Sequence, residues 1–502
     1  MSAAVVESST LAVESDSPRA SVGPRFIVWL LVLTALAAGL RLPGLGTWSL
    51  WEDELYSVRS ALSEHTSLAR QPAYAPIKWG IDAGGGATDE VIPPHTRERT
   101  ADGYPPADDW RAAGIEAFNM RIVPALIGII SVPLLTFFSV RLLGVGGAAV
   151  LGLLLVLSPW HVFWSQASRF YAQQFLFYNL ALIFYFTATQ RGSTLRFLLA
   201  AVVLVVAMLT QPPALLIGLV FAGDFLWGVL RREPPRIPLA GWLLLAVAIV
   251  VMAYLVLRFI TGGGFEYWAS LDGHSAPTIV LGVIYRNHPI IAAAAGLAAL
   301  ALWRRAPRLV PYLAMGAVLP ALVMVVLALM PDLYAHTRYT FIVHYSWLAL
   351  AALGLAQLYE AIQPRLGRFA ALTPVALVIT PLMLSLFVYY TVGYGNRARW
   401  GEALAYIQEH RQADEDVASE RRMIATYYLE TTELTEFPLD REALEALDRP
   451  TWLVMLMGSA RVEMRFPHIH YNAELREYFD VRVLQPYSSV RVYYYDPARA
   501  GE

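Results

Sequence analysis

Residues 46–59 read GTWSLWEDELYSVR and follow the first apolar run of the chain. Trp and Tyr favour the membrane–water interface, because one end of each ring is apolar and the other end is wet. We therefore expect Asp53 and Glu54 to lie at a membrane surface, where acidic side chains are costly unless they have a function. The alternative interpretation is an acidic juxtamembrane turn that only ends the preceding helix.

The composition is that of an integral membrane protein. Of the 502 residues, 57% are hydrophobic and only 16% are charged, whereas soluble domains carry roughly 25% charged residues. The net charge of −2 gives no support to nucleic-acid binding. Cysteine is absent, which excludes disulfides, thiolate catalysis and Cys-ligated metals.

Apolar runs predict about eleven transmembrane helices. A polar tail, residues 1–24, is expected to be disordered, and the first apolar run follows it at residues 26–40. Ten further runs have about the 17–25 residues that a bilayer-spanning helix needs. These runs lie near residues 121–142, 146–164, 172–190, 196–212, 213–230, 238–259, 287–303, 309–330, 341–361 and 370–392.

The distribution of arginine predicts the orientation in the plasma membrane. Basic residues are concentrated in alternate short connections, on the same side as the N-terminal tail: Arg141, Arg191, Arg196, Arg231, Arg232, Arg236, Arg304, Arg305, Arg308, Arg365 and Arg368. The positive-inside rule therefore places the N-terminus in the cytoplasm. With an odd number of spans, the first loop and the C-terminus lie outside.

Two polar segments accompany the transmembrane region, which we assign to residues 25–394. The first loop, residues 43–118, is long and rich in Pro and Gly, and we expect it to fold over the outer membrane face. Residues 395–502 have the composition of a small soluble α/β domain, for which a structural cap over the outer face is the favoured interpretation. Helices are predicted at 400–411, 441–447 and 472–478, and strands at 451–456 and 490–495.

A second cluster on the predicted outer side lies at residues 158–171, between two spans. It places Gln166, Arg169 and Tyr171 among aromatic residues. Arg169 is a fixed positive charge that could face a substrate. The alternative is an interface anchor that extends toward the lipid headgroups.

A third cluster, residues 331–339, contains His336, Arg338 and Tyr339. The planar guanidinium of Arg338 could bind a phosphate in a bidentate manner, which Lys cannot imitate. An interface anchor is again the alternative. Lys78 in the first loop could also meet a substrate phosphate, although a lone Lys is more often solvated.

These clusters, in this order, resemble those of the family 39-like membrane glycosyltransferases of the GT-C class. That class includes protein O-mannosyltransferases, the aminoarabinose transferase of lipid A and bacterial relatives with an RgtA/B/C/D-like domain. The resemblance covers residues 26–362 and rests on four segments: residues 50–54, residues 121–126, residues 158–171 and the late Arg-Tyr pair at residues 338–339. Departures occur at Tyr104-Pro105-Pro106, where the family usually has His-Pro-Pro, and at Ala167, where it usually has an acid.

The resemblance implies a GT-C-like fold and inverting transfer of a hexose or pentose from a polyprenyl-phosphate carrier to an acceptor hydroxyl on the outer face. The acceptor is a lipid, a glycan or a protein. Successive helical residues point about 100° apart, so only one or two of the three adjacent acids can face a cavity, and the resemblance selects Asp53 as general base. Glu54 is expected to assist Asp53 in catalysis, or to hold a divalent cation with it if one is used.

Two other classes of function compete with this prediction. A transporter or flippase of lipid-linked sugars would place ionisable groups near the middle of the membrane. An envelope-assembly scaffold would need no catalytic residues. The charges in this chain lie at the ends of the predicted spans, which favours the enzyme.

Overall fold

The computed structural model describes residues 23–62, 71–85, 110–111, 114–244, 257, 261, 273–330, 333–431, 433–438, 441–457, 477–478 and 489–499. Helices lie at Pro24–Arg41, Glu52–Leu62, Gln71–Ala83, Ala117–Val156, Pro159–Ser165, Tyr171–Arg191, Thr194–Thr210, Ile217–Leu230, Ala276–Asn287, Pro289–Leu302, Leu309–Leu329, His344–Thr391, Trp400–His410, Arg422–Leu429 and Arg441–Glu445. Short 3₁₀ helices lie at Pro212–Leu216, Thr337–Val343, Tyr394–Asn396 and Pro497–Arg499.

The described residues contain five helices that are long and apolar enough to cross a membrane: Pro24–Arg41, Ala117–Val156, Pro212–Leu230, Leu309–Leu329 and Thr337–Thr391. The pair Ala276–Asn287 and Pro289–Leu302 would form a sixth span, broken by a bend of 90°. The chain is therefore a helical membrane protein, as the composition predicted. The total of eleven spans stays a prediction, and most of the predicted span 238–259 lies outside the described residues.

Two of the helices are longer than one membrane crossing requires. Ala117–Val156 has 40 residues and His344–Thr391 has 48. Each is interrupted by a glycine with positive φ, Gly144 (φ 71°) and Gly367 (φ 80°). Because only glycine adopts this backbone conformation readily, each glycine ends one helical segment and begins the next. Both glycines fall in connections that the sequence predicted between two spans.

At two of the predicted spans the structure contains an additional helix. Within the predicted span 146–164, the observed long helix ends at Val156 and a separate short helix begins at Pro159. The predicted span 287–303 is preceded by an unpredicted helix, Ala276–Asn287, and begins at Pro289. In both places proline occupies the first helical position, where its missing N–H costs nothing and its fixed φ suits a new helix.

The chain divides into two compact units. We call the first the helical unit; it comprises Met1–Leu40, Ile127–Val162 and Tyr171–Leu384. Within it, Tyr171–Arg191 packs along Thr194–Thr210. The second, the mixed unit, comprises Arg41–Leu126, Phe163–Phe170 and Ser385–Glu502.

A buried polar network connects four helical segments inside the helical unit. Ser158 Oγ lies 2.6 Å from His344 Nε2, and His344 Nδ1 lies 2.7 Å from Asn287 Oδ1. Ser131 Oγ lies 3.0 Å from His161 Nε2, and the His161 N–H donates to Ser158 Oγ. All five side chains are buried, so these polar groups satisfy one another inside an apolar bundle.

The mixed unit contains a four-stranded sheet formed by β1 (Asp416–Ser419), β2 (Thr451–Met457), β3 (Glu477–Tyr478) and β4 (Ser489–Tyr495) in the order β1-β2-β4-β3. β1 is parallel to β2, whereas β4 is antiparallel to both β2 and β3. The strands predicted at 451–456 and 490–495 are confirmed. The helix predicted at 472–478 is wrong at its last two residues, which form β3; residues 472–476 lie outside the described part of the chain.

The first loop and the C-terminal residues share one hydrophobic core in the mixed unit. Its fully buried members include Leu50, Leu55, Val58, Ile77, Ile81, Leu404, Ile407, Ile424, Val454 and Val490. Each such side chain contributes roughly 1.5–3 kcal/mol through burial, so this core fixes the helix Glu52–Leu62 against the C-terminal residues. The predicted boundary at residue 395 stays a prediction, and the structure adds that residues from both sides of it pack together.

Candidate functional site

Asp53 lies in the first turn of the helix Glu52–Leu62. Acidic residues are favourable there, because the amino end of a helix carries a partial positive charge. The Glu54 side chain turns back to accept a hydrogen bond from the N–H of Trp51 at 3.3 Å, which is one of the two bonds of a capping box. The Asp53 side chain is 24% exposed, whereas Glu54 beside it is fully buried.

Arg169 is the cation that faces Asp53. Its Nη2 lies 4.0 Å from Asp53 Oδ2. Its Nη1 donates to the Asp53 carbonyl oxygen at 2.7 Å and to Ser57 Oγ at 2.6 Å. The guanidinium also packs on the ring of Phe170 at 4.8 Å. The structure thus brings together two of the residues that the sequence singled out.

Glu54 forms a fully buried ion pair with Arg121. Arg121 Nε donates to Oε1 at 2.8 Å and Arg121 Nη2 donates to Oε2 at 2.6 Å, which is the two-point geometry that guanidinium and carboxylate groups favour. The Ser168 N–H also donates to Oε1, and Arg397 Nε lies 3.7 Å from Oε2. Both oxygens of Glu54 are therefore committed to contacts inside the protein.

These contacts determine the ionisation of Glu54. Burial by itself raises the pKa of a carboxyl group, but Arg121 and Arg397 more than offset this effect, and the pKa of Glu54 lies below its ordinary value. Glu54 is therefore a carboxylate with two cationic neighbours. Arg121 also donates to the carbonyl oxygens of Leu45, Trp48 and Ser49, so the ion pair holds the segment that leads to Asp53.

A metal site at Asp53 and Glu54 stays a prediction. Within the described ranges, no group of three or more His, Asp or Glu side chains is arranged to hold a metal ion. The contacts of Glu54 with Arg121 and Ser168 occupy the oxygen atoms that a cation would need.

Gln166 is buried in the mixed unit. Its Nε2 donates to the Pro43 carbonyl oxygen and its Oε1 accepts from the Tyr389 hydroxyl, both at 2.7 Å. Its own carbonyl oxygen accepts from Arg397 Nη2. These bonds join the end of the first span to residues near the last one.

Lys78 and Tyr171 are the two other residues for which the sequence predicted substrate binding. Lys78 is partly exposed on the helix Gln71–Ala83 of the mixed unit. Tyr171 begins the helix Tyr171–Arg191 of the helical unit, where its side chain is fully buried.

The third predicted cluster lies in the helical unit. Arg338 Nη2 donates to the Tyr334 hydroxyl at 2.6 Å, and the guanidinium lies 5.6 Å from the ring centre of Tyr339. His336 caps the 3₁₀ helix that follows it, because its Nδ1 accepts from the Arg338 N–H at 3.1 Å. His336, Arg338 and Tyr339 are therefore grouped as the sequence suggested.

The sequence missed His274 in this cluster. Its ring centre lies 3.7 Å from that of His336, and its Nδ1 lies 3.0 Å from Thr337 Oγ1. Burial lowers the pKa of both histidines, and the positive charge of Arg338 lowers both further. His274 lies 63 residues before Thr337, and no local motif marks it.

Comparison with known proteins identifies relatives in structure only. No family model matches the chain, and no curated protein sequence matches it. ArnT from Cupriavidus metallidurans, a GT-C aminoarabinose transferase, is similar in its apo state, with 13% identity and a TM-score of 0.52 over 94% of this chain and 98% of that one. The same enzyme bound to undecaprenyl phosphate has 16% identity and a TM-score of 0.52, over 93% and 98% of the two chains.

A third similar structure is the apo oligosaccharyltransferase from Archaeoglobus fulgidus. It has 11% identity and a TM-score of 0.50, over 86% of this chain and 69% of that one. Both neighbours are GT-C glycosyltransferases. At these identities the similarity concerns the arrangement of the backbone. The chain therefore has a GT-C-like fold, as the resemblance of its motifs implied.

Proposed function

We propose that this protein is a membrane glycosyltransferase that moves a sugar from a polyprenyl-phosphate donor to an acceptor hydroxyl on the outer face of the plasma membrane. The observation that carries the proposal is the pairing of the partly exposed Asp53 carboxylate with the Arg169 guanidinium, 4.0 Å apart, in a chain with the GT-C fold. The undecaprenyl phosphate bound to ArnT supports a lipid phosphate as the carrier.

Asp53 acts as the general base in this proposal. It takes the proton of the acceptor hydroxyl as that oxygen attacks the anomeric carbon of the sugar from the face opposite the phosphate. The bond between the anomeric carbon and the phosphate oxygen breaks, and the polyprenyl phosphate leaves with the electron pair. The sugar passes through an oxocarbenium-like state, and its configuration is inverted.

Cationic side chains stabilise the negative charge that develops on the leaving phosphate. Arg338 is our first candidate, because its guanidinium can present two parallel N–H groups to phosphate oxygens, and Lys78 is the second. Arg169 orients the turn that carries Asp53 through its bonds to the Asp53 carbonyl oxygen and Ser57.

The remaining predicted residues receive supporting roles. Glu54 and Gln166 are positioning residues, because both side chains are buried and bonded to other protein groups. The burial of Tyr171 supports a packing role, whereas His336 and Tyr339 hold Arg338.

The test is a sugar-transfer assay with the purified protein in lipid vesicles, using undecaprenyl-phosphate-linked hexoses and pentoses as donors. Asp53→Asn keeps the side-chain shape and removes the base, so we expect transfer to fall by about 10²–10⁴-fold with melting unchanged. Asp82→Asn, at an exposed acid of the helix Gln71–Ala83, is the matched control and should retain parental transfer.

Two results would contradict the proposal. If Asp53→Asn transferred sugar at the rate of the parent protein, Asp53 would not be the general base and would act only at the start of its helix. Movement of the lipid-linked sugar across the vesicle membrane by the parent protein, without formation of a new glycosidic bond, would identify a flippase.

A further inference from the structure

The residue before Asp53 is held by the C-terminal part of the chain. Arg421 Nη1 donates to Glu52 Oε2 at 2.6 Å. Arg421 immediately precedes the helix Arg422–Leu429, which packs against the helix Glu52–Leu62. The ion pair thus joins the first residue of the Asp53 helix to a segment more than 360 positions later in the chain.

The segment that leads to Asp53 is also held by the C-terminal part of the chain. The Leu50 N–H donates to the Tyr428 hydroxyl at 2.8 Å. The Gly401 N–H donates to Ser49 Oγ at 3.0 Å. Two residues just before the helix are therefore bonded to residues from two different C-terminal helices, in addition to the contact that Glu52 makes.

The first turn of a helix is the part that opens most easily. Its first four N–H groups have no partner inside the helix, and terminal turns open with little free energy. Asp53 lies in such a turn. Contacts from outside the helix are consequently needed to keep its carboxylate in one position.

We propose that residues 400–429 form a positioning element for Asp53, and that Arg421 acts on Asp53 through Glu52. This inference rests on the proposed function, since it assigns a role in catalysis to a segment whose sequence suggested only a structural cap. A catalytic base must lie within hydrogen-bond reach of the acceptor, and a displacement of about 1 Å can reduce a rate by up to about 10²-fold.

Steady-state kinetics of sugar transfer provide the first test. Arg421→Ala should lower kcat by about 3- to 30-fold, because misplacement affects the reaction step, whereas the KM for the lipid-linked donor should stay within about twofold. Arg421→Lys retains the cation and should recover most of the lost kcat. Arg449→Ala, at an exposed arginine of the same unit that lies 4.0 Å from Asp416, is the matched control and should behave as the parent.

A double-mutant cycle tests the route through Glu52. If Arg421 acts through Glu52, Arg421→Ala should have no further effect on kcat in a Glu52→Gln background, because coupled residues are not additive. Fully additive losses, or a parental kcat in Arg421→Ala, would overturn the inference while leaving the Asp53→Asn result of the proposed function intact.

Hydrogen exchange supplies a readout that does not depend on activity. The N–H groups of Leu50, Glu54 and Leu55 are hydrogen-bonded at the start of the helix. We expect them to exchange at least about threefold faster in Arg421→Ala and in Tyr428→Phe than in the parent or in Arg449→Ala, because local opening sets the exchange rate. Equal exchange in all four proteins would contradict the positioning role, even if the parent transferred no sugar.

Discussion

Glu54 and Arg121 form a fully buried ion pair, 2.6 Å between Oε2 and Nη2, one position away from the partly exposed Asp53. The two adjacent acids are therefore in opposite environments. Glu54 is shielded from water and contacts two arginines and backbone N–H groups. Asp53 lies beside Arg169 and is partly exposed to solvent. This difference is the reason that we assign proton transfer to Asp53 and support of the turn to Glu54.

Removal of the Glu54 charge should destabilise the protein. Glu54→Gln leaves Arg121 buried without its partner, which costs about 3–5 kcal/mol in other buried pairs. The free energy of unfolding in detergent measures this loss. The control Glu52→Gln, at an ion pair that is partly exposed, should cost at most about 1 kcal/mol, and an equal loss in both variants would contradict the special role of the buried pair.

The ion pair of Glu54 with Arg121 also predicts that the protein loses stability at acid pH. The pKa of Glu54 is lower in the folded protein, so the unfolded protein binds more protons as the pH falls through about 4.5. Stability from this pair is present above that pH and is lost as the pH falls through the folded pKa. Glu54→Gln should show a weaker loss of stability over this range than the parent, and an unchanged slope would contradict the assignment.

Arg338→Lys should impair sugar transfer more than its retained charge would suggest. Lys carries a point charge and cannot present the planar fork that binds two phosphate oxygens. We expect kcat/KM for the lipid-linked donor to fall by about tenfold or more, the scale of one lost charge-assisted hydrogen bond, with the melting temperature retained. Arg304→Lys, at an exposed position, is the control; parental kinetics of Arg338→Lys in a donor titration would exclude the bidentate role.

His274 and His336 predict a second pH dependence. Burial and Arg338 lower both pKa values, and Arg286 also faces the pair with a positive charge. Below about pH 6.5 the unfolded protein therefore binds more protons than the folded one, and stability falls as the pH falls. Melting temperatures at pH 7.5 and 5.5 measure the effect.

The comparison for this pH effect uses two variants. His336→Asn keeps a side-chain acceptor at the cap position but cannot titrate, so its melting temperature should depend less on pH than that of the parent. His410→Gln, at an exposed histidine, should keep the parental dependence. Identical slopes in all three proteins would show that the pair does not titrate with unfolding.

The orientation of the chain can be tested by fusion of reporter enzymes. The arginine distribution predicts that Glu502 lies outside the cytoplasm. Alkaline phosphatase fused after Glu502 should therefore be active, and a fluorescent protein that matures only in the cytoplasm should stay dark. The reverse result would place Asp53 on the cytoplasmic side as well.

Local patterns in the sequence predicted much of the fold because they follow from local physics. Three kinds of feature depend on residues that are neighbours in the chain. They are the helix breaks at Gly144 and Gly367, the strands β2 and β4, and the grouping of His336 with Arg338. Contacts between distant residues were not predictable in the same way. Arg397, which bonds to Gln166 over a separation of 231 residues, has no local signal that distinguishes it from an exposed arginine.

The error at Glu477–Tyr478 has the same cause. Residues 472–478 contain good helix formers, such as Ala473, Glu474 and Leu475. The last two residues form a strand because they pair with Arg491 and Val490 of β4, and strand pairing overrides local propensity. The ion pair of Glu52 with Arg421 was likewise not predictable from the sequence. Each residue lies at the start of a helix, but no local pattern indicates that the two helices pack together.

The polar network of Ser158, His344 and Asn287 limits how the helices of its unit can move. Sliding one helix along its axis by a single turn, about 5.4 Å, would separate these groups and strand several buried donors and acceptors, each at about 1–3 kcal/mol. Piston-like displacement is thus opposed at the level where the network lies. Movements within this unit would have to proceed by changes of side-chain conformation and by tilting of neighbouring helices, with these three residues as a fixed point.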